Sequence, residues 1–307
     1  MKDKDKFRGC LLGLAVGDAV GTSVEFKARG SFALLTDMVG GGPFNLQAGQ
    51  WTDDTSMALC LTSSLVACGR FDAYDQMVRY VRWADEGYLS STGTCFDIGG
   101  TVSTALRKFQ KSGEPFAGST DPRSAGNGSI MRLAPIPMFY YPDIQAAQSF
   151  AVESSRTTHG AEECLDACRL LAGMIVRALA GKSRHEVVMA EAESFAGSPK
   201  IVSLAKGSYL HKSEGSIRGS GYVVESLEAA LWCFMKTQSY KEAVLRAANL
   251  GDDADTTAAV CGQLAGAYYG ETGIPPSWLE KLAMRVEITD LAEKLVYKPN
   301  NSERSVQ

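Results

Sequence analysis

The chain has 307 residues, 45% of them hydrophobic and 21% charged, with a formal net charge of −4. This is the composition of an ordinary globular protein, and its acidic balance excludes the broad basic surface that nucleic-acid binding requires. Its eight cysteines lie mostly inside apolar runs, and the one close pair, Cys164 and Cys168, lacks the second pair of a zinc site. Reduced thiols and a cytoplasmic location are expected.

The N-terminal segment MKDKDKFRGC carries acids and no apolar stretch leading to a cleavage site, so no signal peptide is expected. Apolar runs are too short, or too interrupted by charge, for a bilayer span. Gly9, Gly13, Gly17 and Gly21 recur every four residues in a helical pattern, and Ala258, Gly262 and Gly266 do the same near the end. Each glycine inside a helix costs about 1 kcal/mol relative to alanine. Close backbone approach of a neighbouring helix is the simplest offset. Residues 55–68 place Met57, Leu61, Leu65 and Cys68 on one face, with Gly69 as a stop. Residues 161–180 form a long buried helix closed by Gly181, and helical spacing also marks 222–236, 240–249, 256–269 and 280–297. Two-residue alternation is almost absent. The class is all-α, one domain over 1–307 with its core at about 6–298 and a short polar C-terminal tail.

Two acidic clusters stand out. Trp51-Thr52-Asp53-Asp54-Thr55 follows the loop Gly40-Gly41-Gly42-Pro43, and Gly251-Asp252-Asp253-Ala254-Asp255-Thr256-Thr257 precedes the last glycine stripe. Each precedes a helix, where Asp and Thr commonly cap free N–H groups. The alternative is a divalent-cation site, since hard cations take carboxylate and hydroxyl oxygens. In an extended segment Asp253 and Asp255 point the same way and grip one ion together, with Thr52, Asp53 and Asp54 approaching from the other side. So many gathered carboxylates repel one another strongly unless a cation is bound. Three histidines with no ligand pair argue against zinc.

At this point a resemblance emerges nearly end to end. It is carried by GCLLGLAVGDAVGTSVEF (9–26), WTDDTSMAL (51–59), GTCFDIGGTVSTAL (93–106), SAGNGSIMRLAPI (124–136), SRTTHG (155–160), GSGYVVESLEAALW (219–232) and LGDDADTTAAVCGQLAGAYYG (250–270). The chain resembles the ADP-ribosylglycohydrolase family, and within it the bacterial dinitrogenase-reductase-activating, ADP-ribosylarginine hydrolase type. The resemblance implies an orthogonal helical bundle with two divalent ions, Mg²⁺ or Mn²⁺. It implies Thr52, Asp53, Asp54, Asp253, Asp255 and Thr256 as ligands, while Asp252 falls outside the family's Asp-x-Asp-Thr spacing. Glu25 takes the place of a family acid near the metals, and Asp97 that of the acid in the FDIG motif beside the substrate. Gly100 departs from the family pattern, where a polar residue is expected at the substrate rim.

Further candidates for substrate contact come from loops. Asn127, Gly128 and Ser129 form a Gly-flanked turn into a helix, which offers either N–H groups to a phosphate or only a cap. His159 lies between two helices, as a structural residue or a contact. Gly219 and Gly221 let backbone approach a ligand, and Tyr222 stacks on an adenine or packs in the core. His185 and His211 are expected at the surface.

The reaction implied is metal-dependent hydrolysis of the N-glycosidic bond between ADP-ribose and a protein side chain, arginine above all, on a monomeric enzyme. An oxocarbenium-like transition state is expected. Water is activated by Glu25, Asp53 or Asp54, and Asp97 holds the leaving guanidinium. A non-catalytic ADP-ribose- or metal-binding relative, or a hydrolase of a small ADP-ribosyl metabolite, are the alternatives.

Overall fold

The computed structural model describes residues 3–296, and within them every regular element is helical. In chain order these are α1 (Lys4–Gly21), α2 (Asp53–Cys68), α3 (Ala73–Glu86), α4 (Gly100–Ser112), α5 (Pro135–Tyr140), α6 (Ile144–Arg156), α7 (Glu162–Leu179), α8 (Arg184–Met189), α9 (Pro199–Ala205), α10 (Val223–Lys236), α11 (Tyr240–Ala248), α12 (Ala254–Tyr269), α13 (Pro276–Lys281) and α14 (Arg285–Val296), with five short 3₁₀ turns. Gly69 and Gly181 fall just past α2 and α7 with φ of +66° and +75°, the left-handed conformation glycine takes without penalty.

The glycine stripes meet as the sequence demands. Helices α1 and α12 run antiparallel with their backbones in contact. A Cβ on Gly13 would lie 2.4 Å from the Gly262 carbonyl oxygen, and one on Gly9 would lie 2.5 Å from that of Gly266. At the far end a Cβ on Gly21 would meet the Ala254 carbonyl oxygen at 2.4 Å and Asp255 Cα at 2.5 Å. The end of α1 is thereby set against the start of α12, which is where the second acidic cluster sits.

Helix α1 with the turn after it (Lys4–Val24) is long and apolar enough to cross a membrane by composition, and 94% of its most apolar window is buried inside the protein. Its length therefore exceeds the sequence-based expectation of short, interrupted apolar runs. Nearly all the buried apolar side chains, from Phe7 to Val296, form one connected cluster.

One expected helix is broken. Residues 280–297 do not form a single helix: α13 ends at Lys281, Met284 takes φ +53°, and α14 starts at Arg285. The interruption serves contacts made by the 49–51 segment, because Ala283 N–H donates to Gly49 O at 2.9 Å and Trp51 Nε1–H donates to Ala283 O at 3.2 Å. Residue 297 and the polar tail lie outside the described residues.

Candidate metal centre and substrate cleft

Helices α2, α4 and α12 and the loop after α1 converge on a cavity of about 380 Å³ whose wall includes Glu25, Asp53, Asp97, Asp253, Asp255 and Thr256. Thr52 and Asp54 are fully buried just beneath it. Simple capping does not account for these residues. Thr52 and Asp253 hold the N-cap positions of α2 and α12, yet neither side chain accepts a capping hydrogen bond. Thr52 turns toward the second cluster instead, and Asp253 toward Asn127.

Thr52 Oγ1 sits 3.0 Å from Asp18 Oδ1 and 3.2 Å from both Asp54 Oδ2 and Asp255 Oδ2. Thr256 Oγ1 lies 3.3 Å from Asp54 Oδ2. Asn127 Nδ2 donates to Asp253 Oδ2 at 3.0 Å, and Asp253 N–H donates to Gly219 O at 2.9 Å. Segments some 200 residues apart are thus tied through single oxygen atoms.

The second cluster differs from the extended strand-like pair read from the sequence. Asp253 holds the N-cap position of α12 and Asp255 lies in its first turn, so helical rather than alternating geometry aims both carboxylates into the cavity. Asp252 turns the other way. It is exposed, with φ +57°, and its backbone pairs with the Glu25 loop: Phe26 N–H donates to Asp252 O at 2.7 Å, and Asp252 N–H to Lys27 O at 2.8 Å. Phe26 mirrors it at φ +61°. Two left-handed residues fasten the Glu25 loop to the α12 entry.

Burial and mutual repulsion hold these acids far from their usual range. Burial, then the charge of Asp97, pushes Glu25 up to about 9. Asp97 is raised to about 7 by burial and then by Asp18. Asp53, Asp54 and Asp255 are raised well above the carboxylate range, by burial first and then by neighbouring carboxylates. A divalent cation reverses that logic, since it favours the ionised form of every ligand. The residues fit such an ion on two observations. Carboxylate oxygens of Asp18, Asp54 and Asp255 lie within 4.8 Å of one another, as do those of Glu25, Asp97 and Asp255. Asp54 Oδ1 is buried with no hydrogen-bond partner, a costly state for a carboxylate oxygen that a cation relieves.

His159 closes the cavity floor, 2% exposed. Thr158 Oγ1 accepts from Arg132 Nη2 at 2.7 Å and shares a hydrogen bond with His159 Nδ1 at 2.9 Å. The other ring nitrogen of His159, Nε2, lies toward the cavity wall at Gly126. Burial, then the Arg132 charge, lowers this imidazole to about 3, so it stays neutral. Gly128 is required beside it, as a Cβ there would lie 2.7 Å from His159 Cε1. Helix α4 opens into the same cavity at Gly99, Gly100 and Thr101 without a side-chain cap. A Cβ on Gly100 would meet nothing within 4 Å, so the missing polar side chain leaves that rim open.

Of the residues expected at the substrate, Asp97, Asn127, Gly128, His159 and Gly221 line this cavity, and three do not. Ser129 is 2% exposed behind the wall, where its hydroxyl oxygen accepts from Cys168 Sγ at 3.4 Å. Gly219 is buried and acts through its carbonyl on Asp253; a Cβ there would meet Thr257 Oγ1 at 2.7 Å. Tyr222 faces an adjoining depression that shares Thr101, Gly126 and Gly221 with the cavity. Its hydroxyl donates to Glu163 Oε2 at 2.5 Å and accepts from Lys200 Nζ at 2.6 Å. His185 and His211 are exposed, as expected.

Asp18 was not among the expected site residues. It is fully buried on α1 with both oxygens turned to the start of α2. The available signal was a lone acid inside the otherwise apolar run GLAVGDAVG.

A family model described as ADP-ribosylglycohydrolase matches residues 1–304. The chain is 47% identical over 291 residues to ADP-ribosylarginine hydrolase Tri1 of Pseudomonas putida (strain GB-1), covering 95% of this chain and 78% of that protein. It is 33% identical over 287 residues to the ADP-ribosyl dinitrogen reductase glycohydrolase of Rhodospirillum rubrum, covering 92% of each. A solved structure described as an ADP-ribosylglycohydrolase-related protein complex superposes with a TM-score of 0.85 at 41% identity, covering 95% of this chain and 97% of that one.

Proposed function

This chain belongs to the ADP-ribosylglycohydrolase family and is a glycohydrolase, and from that premise we propose that it cleaves the N-glycosidic bond between ADP-ribose and an arginine side chain of a modified protein. Two divalent ions, Mg²⁺ or Mn²⁺, would be held by Thr52, Asp53, Asp54, Asp253, Asp255 and Thr256. Bound there, such ions supply charge that orients ribose hydroxyls and lowers the pKa of a water.

The observation that carries this reading is the union of two distant acid clusters around buried oxygens, one of which, Asp54 Oδ1, has no partner. The remaining roles fall to residues outside the ligand set. Glu25 is 4% exposed and lines the cavity, and once bound cations favour its ionised form it would take the proton of the attacking water. Asp54 lies beneath the wall and is less suited to that role. Asp97 stands half-buried in the wall and pairs with the leaving guanidinium, which a carboxylate receives in bidentate fashion. The neutral His159 ring and the open start of α4 present polar groups to the ADP-ribose moiety.

Relatives named as ADP-ribosylarginine hydrolases at 47% and 43% identity support arginine as the linkage. A single-domain, monomeric, cytoplasmic enzyme completes the proposal. Its eight cysteines, unpaired and mostly buried, suit a reducing compartment. The test is mass spectrometry of an ADP-ribosyl-arginine peptide incubated with the protein and Mn²⁺. Release of ADP-ribose with unmodified arginine is expected; an intact peptide overturns the reading.

A further inference from the structure

Asp18 lies in the last turn of α1, fully buried, and its carboxylate accepts four hydrogen bonds. Oδ1 takes Thr52 N–H at 2.9 Å and the Thr52 hydroxyl at 3.0 Å; Oδ2 takes Thr55 N–H at 3.0 Å and the Thr55 hydroxyl at 2.6 Å. A carboxylate offers about four lone-pair directions. All four are used, and every donor belongs to the entry of α2.

The contrast with its neighbours is chemical. Oxygens of Asp18, Asp54 and Asp255 lie within 4.8 Å of one another, so by proximity alone all three qualify as ligands. Asp54, however, keeps a buried oxygen with no partner, while Asp18 has none to spare. Thr52 adds a second constraint. Three carboxylates surround its hydroxyl at 3.0 to 3.2 Å, and the hydroxyl has one hydrogen to give. A threonine oxygen binds a cation only through a lone pair, so its hydrogen must point away from the ion.

We propose that Asp18 is the positioning residue of the metal centre: it takes the Thr52 hydroxyl hydrogen and fixes the start of α2, so that Thr52 turns a lone pair toward Asp54 and Asp255, and Asp18 itself does not ligate. This rests on the metal-centre reading above. The same bonds explain why α2 needs no cap of its own: Asp18, from another helix, serves its Thr52 and Thr55 N–H groups. The glycine contacts between α1 and α12 set where Asp18 stands relative to Asp255.

Calorimetric titration of metal-free protein with Mn²⁺ tests the assignment through binding alone. Asp18→Asn keeps the shape but puts an N–H₂ where an acceptor is needed. Thr55→Val removes one donor to Asp18 and touches no proposed ligand. Asp18→Asn is expected to bind the same number of ions about 10–100-fold more weakly, the usual effect of losing an outer-shell partner, and Thr55→Val to show a smaller loss in the same direction. Unchanged affinity in Asp18→Asn overturns the proposal, as does loss of one ion with the other unaffected, which would make Asp18 a ligand. Should circular dichroism show that Asp18→Asn does not fold, Thr55→Val decides, and unaltered Mn²⁺ affinity there overturns it. Wild-type protein that binds no Mn²⁺ would instead end the metal-centre reading, and this assignment with it.

Discussion

Gly13 and Gly262 face each other across α1 and α12 so closely that a Cβ on either would lie 2.4 or 2.1 Å from the carbonyl oxygen of the other. No side chain can swing aside there, because the obstacle is backbone. Gly13→Ala or Gly262→Ala is therefore expected to force the helices apart, at a cost of at least about 1–3 kcal/mol. Thermal unfolding should show a Tm lower by several degrees, with weakened Mn²⁺ binding because Asp18 and Asp255 ride on the two helices. Gly215→Ala is the control: its Cβ would meet nothing within 4 Å, and its Tm should match wild type.

Divalent-metal dependence is expected from the all-oxygen donor set. Dialysis against a chelator is expected to abolish hydrolysis of an ADP-ribosyl-arginine peptide, and Mg²⁺ or Mn²⁺ to restore it. Full turnover in metal-free protein would refute a metal centre.

Asp255 contributes to both groups of close carboxylate oxygens, and Asp53 lines the cavity from the opposite segment. Asp255→Ala and Asp53→Ala are each expected to lower kcat by on the order of 100-fold or more while the fold, followed by circular dichroism, persists. A surface cap removed in this way would cost about 1 kcal/mol of stability and little catalysis. Near wild-type turnover at saturating metal in either variant would show that it is not a ligand.

Linkage specificity is expected to turn on Asp97. A guanidinium and a carboxylate make paired charge-assisted hydrogen bonds that a serine oxygen cannot reproduce. Arginine-linked ADP-ribose should be cleaved faster than serine-linked. Asp97→Asn should lose about 10–100-fold on the arginine substrate, the worth of hydrogen bonds to a charged group, with metal affinity measured alongside. Faster release from serine, or normal arginine cleavage by Asp97→Asn, would reassign this carboxylate.

The crowded acids also set how stability changes with pH. In metal-free protein burial, then neighbouring carboxylates, pushes Glu25 up to about 9 and Asp97 to about 7. The unfolded chain gives up these protons near pH 4. Above that, the folded state holds more protons, and its stability falls as pH rises through the folded values. His159, lowered to about 3 by burial and then by Arg132, acts in the opposite sense but only below its ordinary value near 6.5. The metal-free Tm is thus expected to fall between pH 6.5 and 9. With Mn²⁺ present the fall should flatten or reverse, because binding expels those protons. Scanning calorimetry across this window checks the sign; a rising metal-free Tm would contradict the repulsion account.

Helix positions, the glycine stripes and the two acid-rich helix starts were legible in the sequence because each depends on spacing within one segment. The 3.6-residue period located α2, α7, α10, α11 and α12 to within two residues, and glycines every fourth residue announced a backbone contact. Which side chains share the cavity was decided only in three dimensions. Asp252 and Asp253 are neighbours, yet a left-handed φ at Asp252 turns one outward while the other, at the N-cap position of α12, faces Asn127. Ser129 follows Gly128 but falls behind the wall, and Tyr222 follows Gly221 but faces the next depression. Met284 breaks a helix that the period alone would continue, because Ala283 pairs with Gly49. Asp18 read as one acid in an apolar helix until α2 was set against it. Periodicity is a local property of the chain, whereas the direction of a carboxylate depends on single backbone angles and on the register between helices. Those are fixed by contacts between residues as far apart as Thr52 and Asp255, which no window along the sequence contains.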